Sequence, residues 1–253
     1  MGTFRQAIRF YSAAAYTTRY ADYETIQVSA PLDHILHVEL NRPERRNAFD
    51  RDMFREIKHC FSEIENDKQC RAVVISGTGK IFCAGVDLQD MMEMMTSYMT
   101  PMTEDSVSHP RKDDVAGRAK FIRHLVQSLQ NCISSISKCQ KPVIAAVHSG
   151  CIGAGLDLIS AADVRYASND AYFSVREIAL GMAADLGSLQ RLPKIMGSDS
   201  LVRELAFTGR DLNASEAKEV CFAFYPIFFS SLISSLKMPF LTHCLFLFTV
   251  WSS

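Results

Sequence analysis

Twice along this chain a short run of buried-type apolar residues empties directly into a glycine loop, and that repeat restricts the possible folds more than any other feature. The first run is Ala72-Val-Val-Ile75, leading into Gly77–Gly85; the second is Pro142–Val147, leading into Gly150-Cys-Ile-Gly-Ala-Gly155. Uninterrupted apolar runs of this length suit strands buried on both faces. Glycines directly after them permit tight turns and close backbone approach. Helical periods surround both. From Asp50 to Asp67, Met53, Phe54, Ile57, Cys60, Phe61 and Ile64 share one face, Arg51, Arg55, Lys58, Glu63 and Glu65 face out, and Asp50 stands at the N-cap. Val115–Ile136 returns to the same period through Ile122, Leu125, Val126, Leu129 and Ile133, after a polar surface excursion over residues 96–113. Upstream, Thr25–Ala30 and His34–Leu40 read as two strands of a hairpin, with Pro31-Leu32-Asp33 as the turn. The recurrence of strand, helix, strand, glycine loop, helix predicts an α/β fold of right-handed crossover units, with both loops opening on one side of the sheet.

Composition narrows the function. The chain has 253 residues, 48% hydrophobic and 22% charged, enough for a full core. A formal net charge of −1 provides no global field for nucleic acid or an anionic membrane, so an anionic ligand must be held by a local cluster. The eight cysteines form no CxxC pair and sit mostly in apolar runs, which reads as reduced core thiols. His148 and Cys151 have no second pair at ligand spacing, and no metal site is expected. Residues 1–21 carry Arg5, Arg9 and Arg19 with Ser and Thr and no acid, the composition of a mitochondrial presequence. The body, residues 22–220, contains no twenty-residue apolar span and is not expected to cross a membrane. Residues 221–253 form an atypical apolar tail, opening Cys221-Phe-Ala-Phe-Tyr-Pro226, without helical amphipathicity.

The segment Phe82-Cys-Ala-Gly-Val-Asp-Leu88 resembles the first signature of the crotonase superfamily, and Lys141–Leu158 resembles the second. Asn41-Arg-Pro43 upstream and Gln190-Arg-Leu-Pro193 downstream extend the likeness over roughly residues 24–219. The resemblance implies a crotonase-like superhelix of repeated ββα units. The C-terminal helical region, which in the family completes the acyl pocket and the trimer contacts, is truncated or replaced here by the tail. It further implies an acyl-CoA thioester substrate, no cofactor beyond the coenzyme A that the substrate carries, and no nucleic-acid partner. A homotrimer or hexamer would be family-like, although the replaced tail works against it. The presequence points to the mitochondrial matrix, and the peroxisomal Ser-Lys-Leu ending is absent.

Matched by position, the backbone N–H groups of Val86 and Ala154 form an oxyanion hole, and Ala84, Gly85, Val86, Asp87 and Leu88 line the substrate. Gly85, Gly153 and Gly155 would supply close approach and positive φ. Asp87 is expected to fix its loop through backbone bonds. Arg45 and Arg46, with Arg42, lie where the family places basic residues near the CoA phosphates; a solvated turn is the plain alternative.

Asp157, Glu177 and Asp185 occupy positions that are acidic in the dienoyl-CoA isomerase branch. Enoyl-CoA hydratases typically have glutamate at the first and no acid at the third. The resemblance therefore implies isomerisation of a 3,5-dienoyl-CoA to the 2,4-dienoyl-CoA, a proton leaving C2 and another arriving at C6. Asp185 is the expected base, Glu177 the expected acid, and Asp157 tunes both, in an order that can be reversed. Burial among Ile178, Leu180, Met182 and Leu186 is expected to raise at least one pKa; Asp185 is alternatively placed to cap a helix. Neighbouring readings are a hydratase, a Δ3-Δ2-enoyl-CoA isomerase, or an acyl-CoA-binding chain silenced by its tail. Gly150–Gly155 does not have dinucleotide-binding spacing.

The family usually has glycine where Ala154 stands, and a methyl group is a liability there if the position needs φ > 0. Ala154→Gly is expected to keep or raise turnover in a steady-state assay; a large loss would move the donor elsewhere.

Overall fold

Both apolar runs become central strands of one sheet. The structure, a computed structural model, describes residue 20 and residues 22–99 and 115–223; the rest of the expected presequence, residues 100–114 and the tail beyond Ala223 lie outside the described residues. The main sheet has five strands, in the spatial order β1 (Ile26–Leu32), β2 (Ile35–Leu40), β3 (Ala72–Gly77), β4 (Val143–Val147) and β6 (Val164–Ala167). β1 and β2 pair antiparallel, and β2, β3, β4 and β6 run parallel, as crossover units require. A second sheet joins β5 (Gly150–Ile152), β7 (Tyr172–Ser174) and β8 (Leu212–Asn213).

The hairpin differs from its expected form. β1 runs on through Pro31 and Leu32, the turn is Asp33-His34, and His34 takes φ +68°. Register slips between Ser29 and Leu32. Pro31 has no N–H to donate, so the ladder loses a rung and bends there instead of turning.

The first helix follows the expected pattern. α1 (Arg51–Asn66) is capped by Asp50, whose carboxylate accepts the Met53 N–H at 2.8 Å, and its six apolar positions are all buried. Glu56 is buried as well, a position that periodicity assigns no role. It accepts the Thr25 N–H at 2.8 Å, the Thr25 hydroxyl at 2.6 Å and the Glu24 N–H at 3.0 Å, tying α1 to the start of β1. α2 (Leu88–Met99) makes helix of residues 96–99, which the polar composition suggested were loop. α3 (Val115–Lys138) buries Cys132, Ile133 and Ile136 but leaves Ile122 exposed, so only its C-terminal half has the expected inward face.

The second glycine segment is shorter as a loop than its sequence suggests. It contains β5 and opens directly into α4 (Ala154–Ser160), every residue of which is buried. α5 (Ser188–Met196), α6 (Asp199–Thr208) and α7 (Ala214–Glu219) complete the described chain. Past the exposed Cys221, Phe222 and Ala223 of the apolar tail are built into the core. Phe222 is fully buried, lies edge-on to Phe173 at 5.1 Å, and accepts the Arg165 Nε–H on its carbonyl at 2.8 Å. Among the described residues no helix is long and apolar enough to cross a membrane.

Glu56→Ala strands two amides and a hydroxyl at the α1–β1 junction. It is expected to destabilise the fold by about 3 kcal/mol in urea unfolding; a loss under about 1 kcal/mol would show that water satisfies these groups equally well.

Candidate active site

The two glycine loops are stitched together by their backbones. The Cys83 N–H donates to the Gly150 carbonyl and the Ile152 N–H to the Cys83 carbonyl, each at 3.0 Å, so that Cys83 and Cys151 form a parallel bridge. From there both chains leave in the same direction, and the matching positions are Gly85 with Gly153 and Val86 with Ala154. The approach at the glycines is close: a Cβ on Gly153 would lie 3.6 Å from the Gly85 Cα and 3.1 Å from Glu177 Oε1. Gly85 and Gly153 take φ +102° and +51°, which side-chain-bearing residues rarely adopt. Gly155 is not in that region. Its requirement is space, because a Cβ there would meet the Cys83 Cβ at 2.6 Å.

Peptide planarity aims one donor from each loop. The Gly85 carbonyl accepts the Phe49 N–H at 2.8 Å, and a trans peptide then points the Val86 N–H the opposite way. The Gly153 carbonyl accepts the Asp157 N–H at 2.9 Å, and the Ala154 N–H, at the start of α4, points back out of the helix. The hydrogen bonds of the described residues give neither N–H an acceptor. Ala154 has ordinary negative φ, so its methyl is not strained.

Three carboxyl groups gather behind these loops. Asp157, on α4, is completely buried, and its Oδ1 accepts the Ser188 N–H at 2.6 Å while Oδ2 has no hydrogen-bond partner. It thus caps α5 from another helix, the role that the sequence offers Asp185 as the alternative to catalytic base. Burial lifts Asp157 to about 6, against the pull of Ser188 and Arg191. Glu177 is buried at the head of a 3-10 turn, with Oε2 unpartnered, and burial, then the Asp157 charge, lift it to about 7. Asp185 is exposed; partial desolvation moves it upward, and its carbonyl accepts the Gln130 side-chain amide at 2.7 Å. The surroundings are not the expected apolar ones. Ile178 and Leu180 are 47% and 48% exposed, because a turn that aims Glu177 inward carries its next residues outward; Leu186 alone of the four is buried.

Asp87 holds its loop as expected and also gathers the arginines. It accepts the Gln89 N–H at 3.2 Å and lies 3.3 Å from both Arg42 and Arg45. Burial pushes its carboxyl up, but the Asp90 amide and the two guanidiniums outweigh burial and bring it below the ordinary value. Arg42 and Arg45 are therefore engaged within the protein, Arg46 is exposed, Ala84 donates its N–H to the Arg46 carbonyl, and Leu88 opens α2 at the surface. Sequence patterns missed Ser188, Gln130 and Arg191. Each acts through a contact distant in sequence, and although Arg191 lies within the Gln190-Arg-Leu-Pro193 likeness, that motif assigns it no role.

The family model described as enoyl-CoA hydratase/isomerase matches residues 35–235 of the chain. Over 196 residues the chain is 50% identical to the mitochondrial Delta(3,5)-Delta(2,4)-dienoyl-CoA isomerase of Rattus norvegicus, covering 78% of this chain and 56% of that one. It is 39% identical over 186 residues to the peroxisomal enzyme of the same name from Arabidopsis thaliana, covering 74% and 63%. The crystal structure of enoyl-CoA hydratase from Bacillus anthracis superposes with a TM-score of 0.66 at 27% identity, covering 81% of this chain and 70% of that one. That of an enoyl-CoA hydratase/isomerase from Marinobacter aquaeolei gives 0.65 at 27%, covering 79% and 69%. The chain spans little more than half the length of the curated relatives it matches.

Folded Glu177 keeps its proton to about pH 7, whereas an unfolded glutamate releases it near 4.5, so folding takes up a proton between those values. Stability is then greatest below pH 4.5 on this group's account and falls as pH rises toward 7. Glu177→Gln is expected to be more stable than the parent at pH 8, by on the order of 2 kcal/mol, and nearly equal to it at pH 4 in urea titrations. Equal stability at both would show that Glu177 is not desolvated.

Proposed function

The chain belongs to the enoyl-CoA hydratase/isomerase family, and from that premise we propose that it isomerises 3,5-dienoyl-CoA thioesters to 2,4-dienoyl-CoA in the oxidation of unsaturated fatty acids. One observation carries the reading: two outward-aimed backbone N–H groups stand on loops that are stitched together directly in front of three mutually interacting carboxyls. The names of the isomerase relatives support it.

Placed with its thioester oxygen between the Val86 and Ala154 amides, the substrate acquires an acidic C2, because the charge left by the departing proton delocalises onto that oxygen. Fixed amide donors need no reorganisation when the charge develops. Asp185, the exposed one of the three carboxyls, takes the C2 proton. Glu177, protonated to about pH 7, gives its own to C6. Each double bond shifts by one carbon toward the thioester as the electron pairs move along the dienolate. Asp185 then carries the extra proton and Glu177 the negative charge, and exchange with water resets both. Asp157 raises Glu177 through its charge and holds the start of α5 through Ser188. The chemistry calls for no cofactor beyond the coenzyme A of the substrate. Arg45 and Arg46 are the proposed contacts to its phosphates, with Arg45 giving up part of its bond to Asp87. Residues 1–21 and the mitochondrial relatives support a place in the mitochondrial matrix.

The test follows the absorbance that appears as the diene enters conjugation with the thioester carbonyl. Asp185→Asn and Glu177→Gln are each expected to lower turnover by at least about a hundredfold while thioester binding stays within a few fold. Parental turnover should fall above pH 7 as Glu177 loses its proton. Full turnover in either variant would remove that carboxyl from the mechanism.

A further inference from the structure

We propose that Cys83 is a positioning residue that sets the direction of both oxyanion donors through its one sulfur atom; the inference rests on the hole described above. Cys83 is fully buried between the loops. Its Sγ donates to the Asn47 carbonyl at 3.1 Å and accepts the Gly85 N–H at 3.4 Å. The first turn of α4 rests on this atom, since a Cβ on Gly155 would lie 3.0 Å from Sγ.

The two glycines at the sulfur, Gly85 and Gly155, flank the donors. Gly85 directly precedes Val86, and Gly155 directly follows Ala154. Each donor peptide is therefore held on one side by its own carbonyl, bonded to Phe49 in the first loop and to Asp157 in the second, and on the other side by the same sulfur, through a hydrogen bond at Gly85 and close packing at Gly155. Asn47 anchors the sulfur in turn: it is buried, and its side-chain amide donates to the carbonyls of Thr78 at 2.8 Å and Phe82 at 3.0 Å. The backbone stitch at Cys83 fixes how far apart the loops stand. The thiol fixes how their peptides are rotated, and rotation is what aims a donor. Burial pushes this thiol up to about 12, so it acts as a neutral polar atom with no nucleophilic part in the chemistry.

Donor direction can be read without turnover. The probe is butanoyl-CoA labelled with 13C at the thioester carbonyl, which has no double bond to move, and the readout is the infrared C=O stretching frequency on binding. The parent chain should lower that frequency, and Cys83→Ser, which keeps a polar atom, should lower it nearly as much. Cys83→Ala and Cys83→Val should each lose at least half of the downshift, with the dissociation constant within about threefold of the parent. With dienoyl-CoA, those two variants should lose about tenfold in kcat at unchanged KM, part of the hundredfold or more that removing a whole donor costs. Cys83→Val keeps the volume and carries the comparison if the alanine variant does not fold. Cys60→Ala, a buried thiol change on α1, should retain the full downshift. A full downshift in Cys83→Ala or Cys83→Val overturns the role of the sulfur and leaves the hole intact; no downshift in the parent chain overturns the hole and this proposal with it.

Discussion

Two backbone hydrogen bonds, Cys83 N–H to Gly150 and Ile152 N–H to the Cys83 carbonyl, hold the glycine loops together, and the geometry of the site follows from them. A parallel bridge at Cys83 and Cys151 brings later residues of the two loops into correspondence. The glycines then meet where backbones approach most closely, and the donors project just beyond them. β3 and β4 deliver the loops to the same edge because they are adjacent and parallel. The crossover topology thus places two unrelated segments in one frame, and only small residues fit where they touch.

The carboxyls add an energetic tension to this frame. Asp157 and Glu177 are each buried with one oxygen unpartnered, an arrangement that favours their neutral forms and raises both. Such groups weaken a fold near neutral pH and are useful where a proton must be held ready at that pH. Asp157 shows both sides of the trade. Its one satisfied oxygen caps α5 at Ser188, so the residue that elevates Glu177 also supports the wall beside it.

Much of this was legible in the sequence where the signal is local. The Asp50 cap, the buried face of α1 and both strand-to-glycine passages follow from spacing, the family likeness of Phe82–Leu88 and Lys141–Leu158 named the loop residues that the structure brings together, and the likeness to the isomerase branch named the three carboxyls. Contacts made across long sequence separations were not legible. Glu56 looks like one more surface acid until Thr25 folds over it. Asp185 precedes a helix and offers a cap as the alternative to its expected part as base, yet Asp157 reaches across from α4 to do the capping. β7 and β8 have three and two residues, too short for alternation to show. Ile178 and Leu180 look like core beside an acid, but the 3-10 turn leaves them exposed.

The central claim is a division of labour in which the hole acidifies C2 and separate carboxyls serve the two ends of the dienolate. The direct measurement is mass spectrometry of a 3,5-dienoyl-CoA incubated in deuterated water with the Glu177→Gln chain. The account predicts that deuterium enters C2 of recovered substrate while no 2,4-dienoyl-CoA forms, because Asp185 still removes and returns the C2 proton and nothing serves C6. Unlabelled substrate from this variant, with the parent chain active, would contradict the account by showing that proton removal at C2 depends on Glu177.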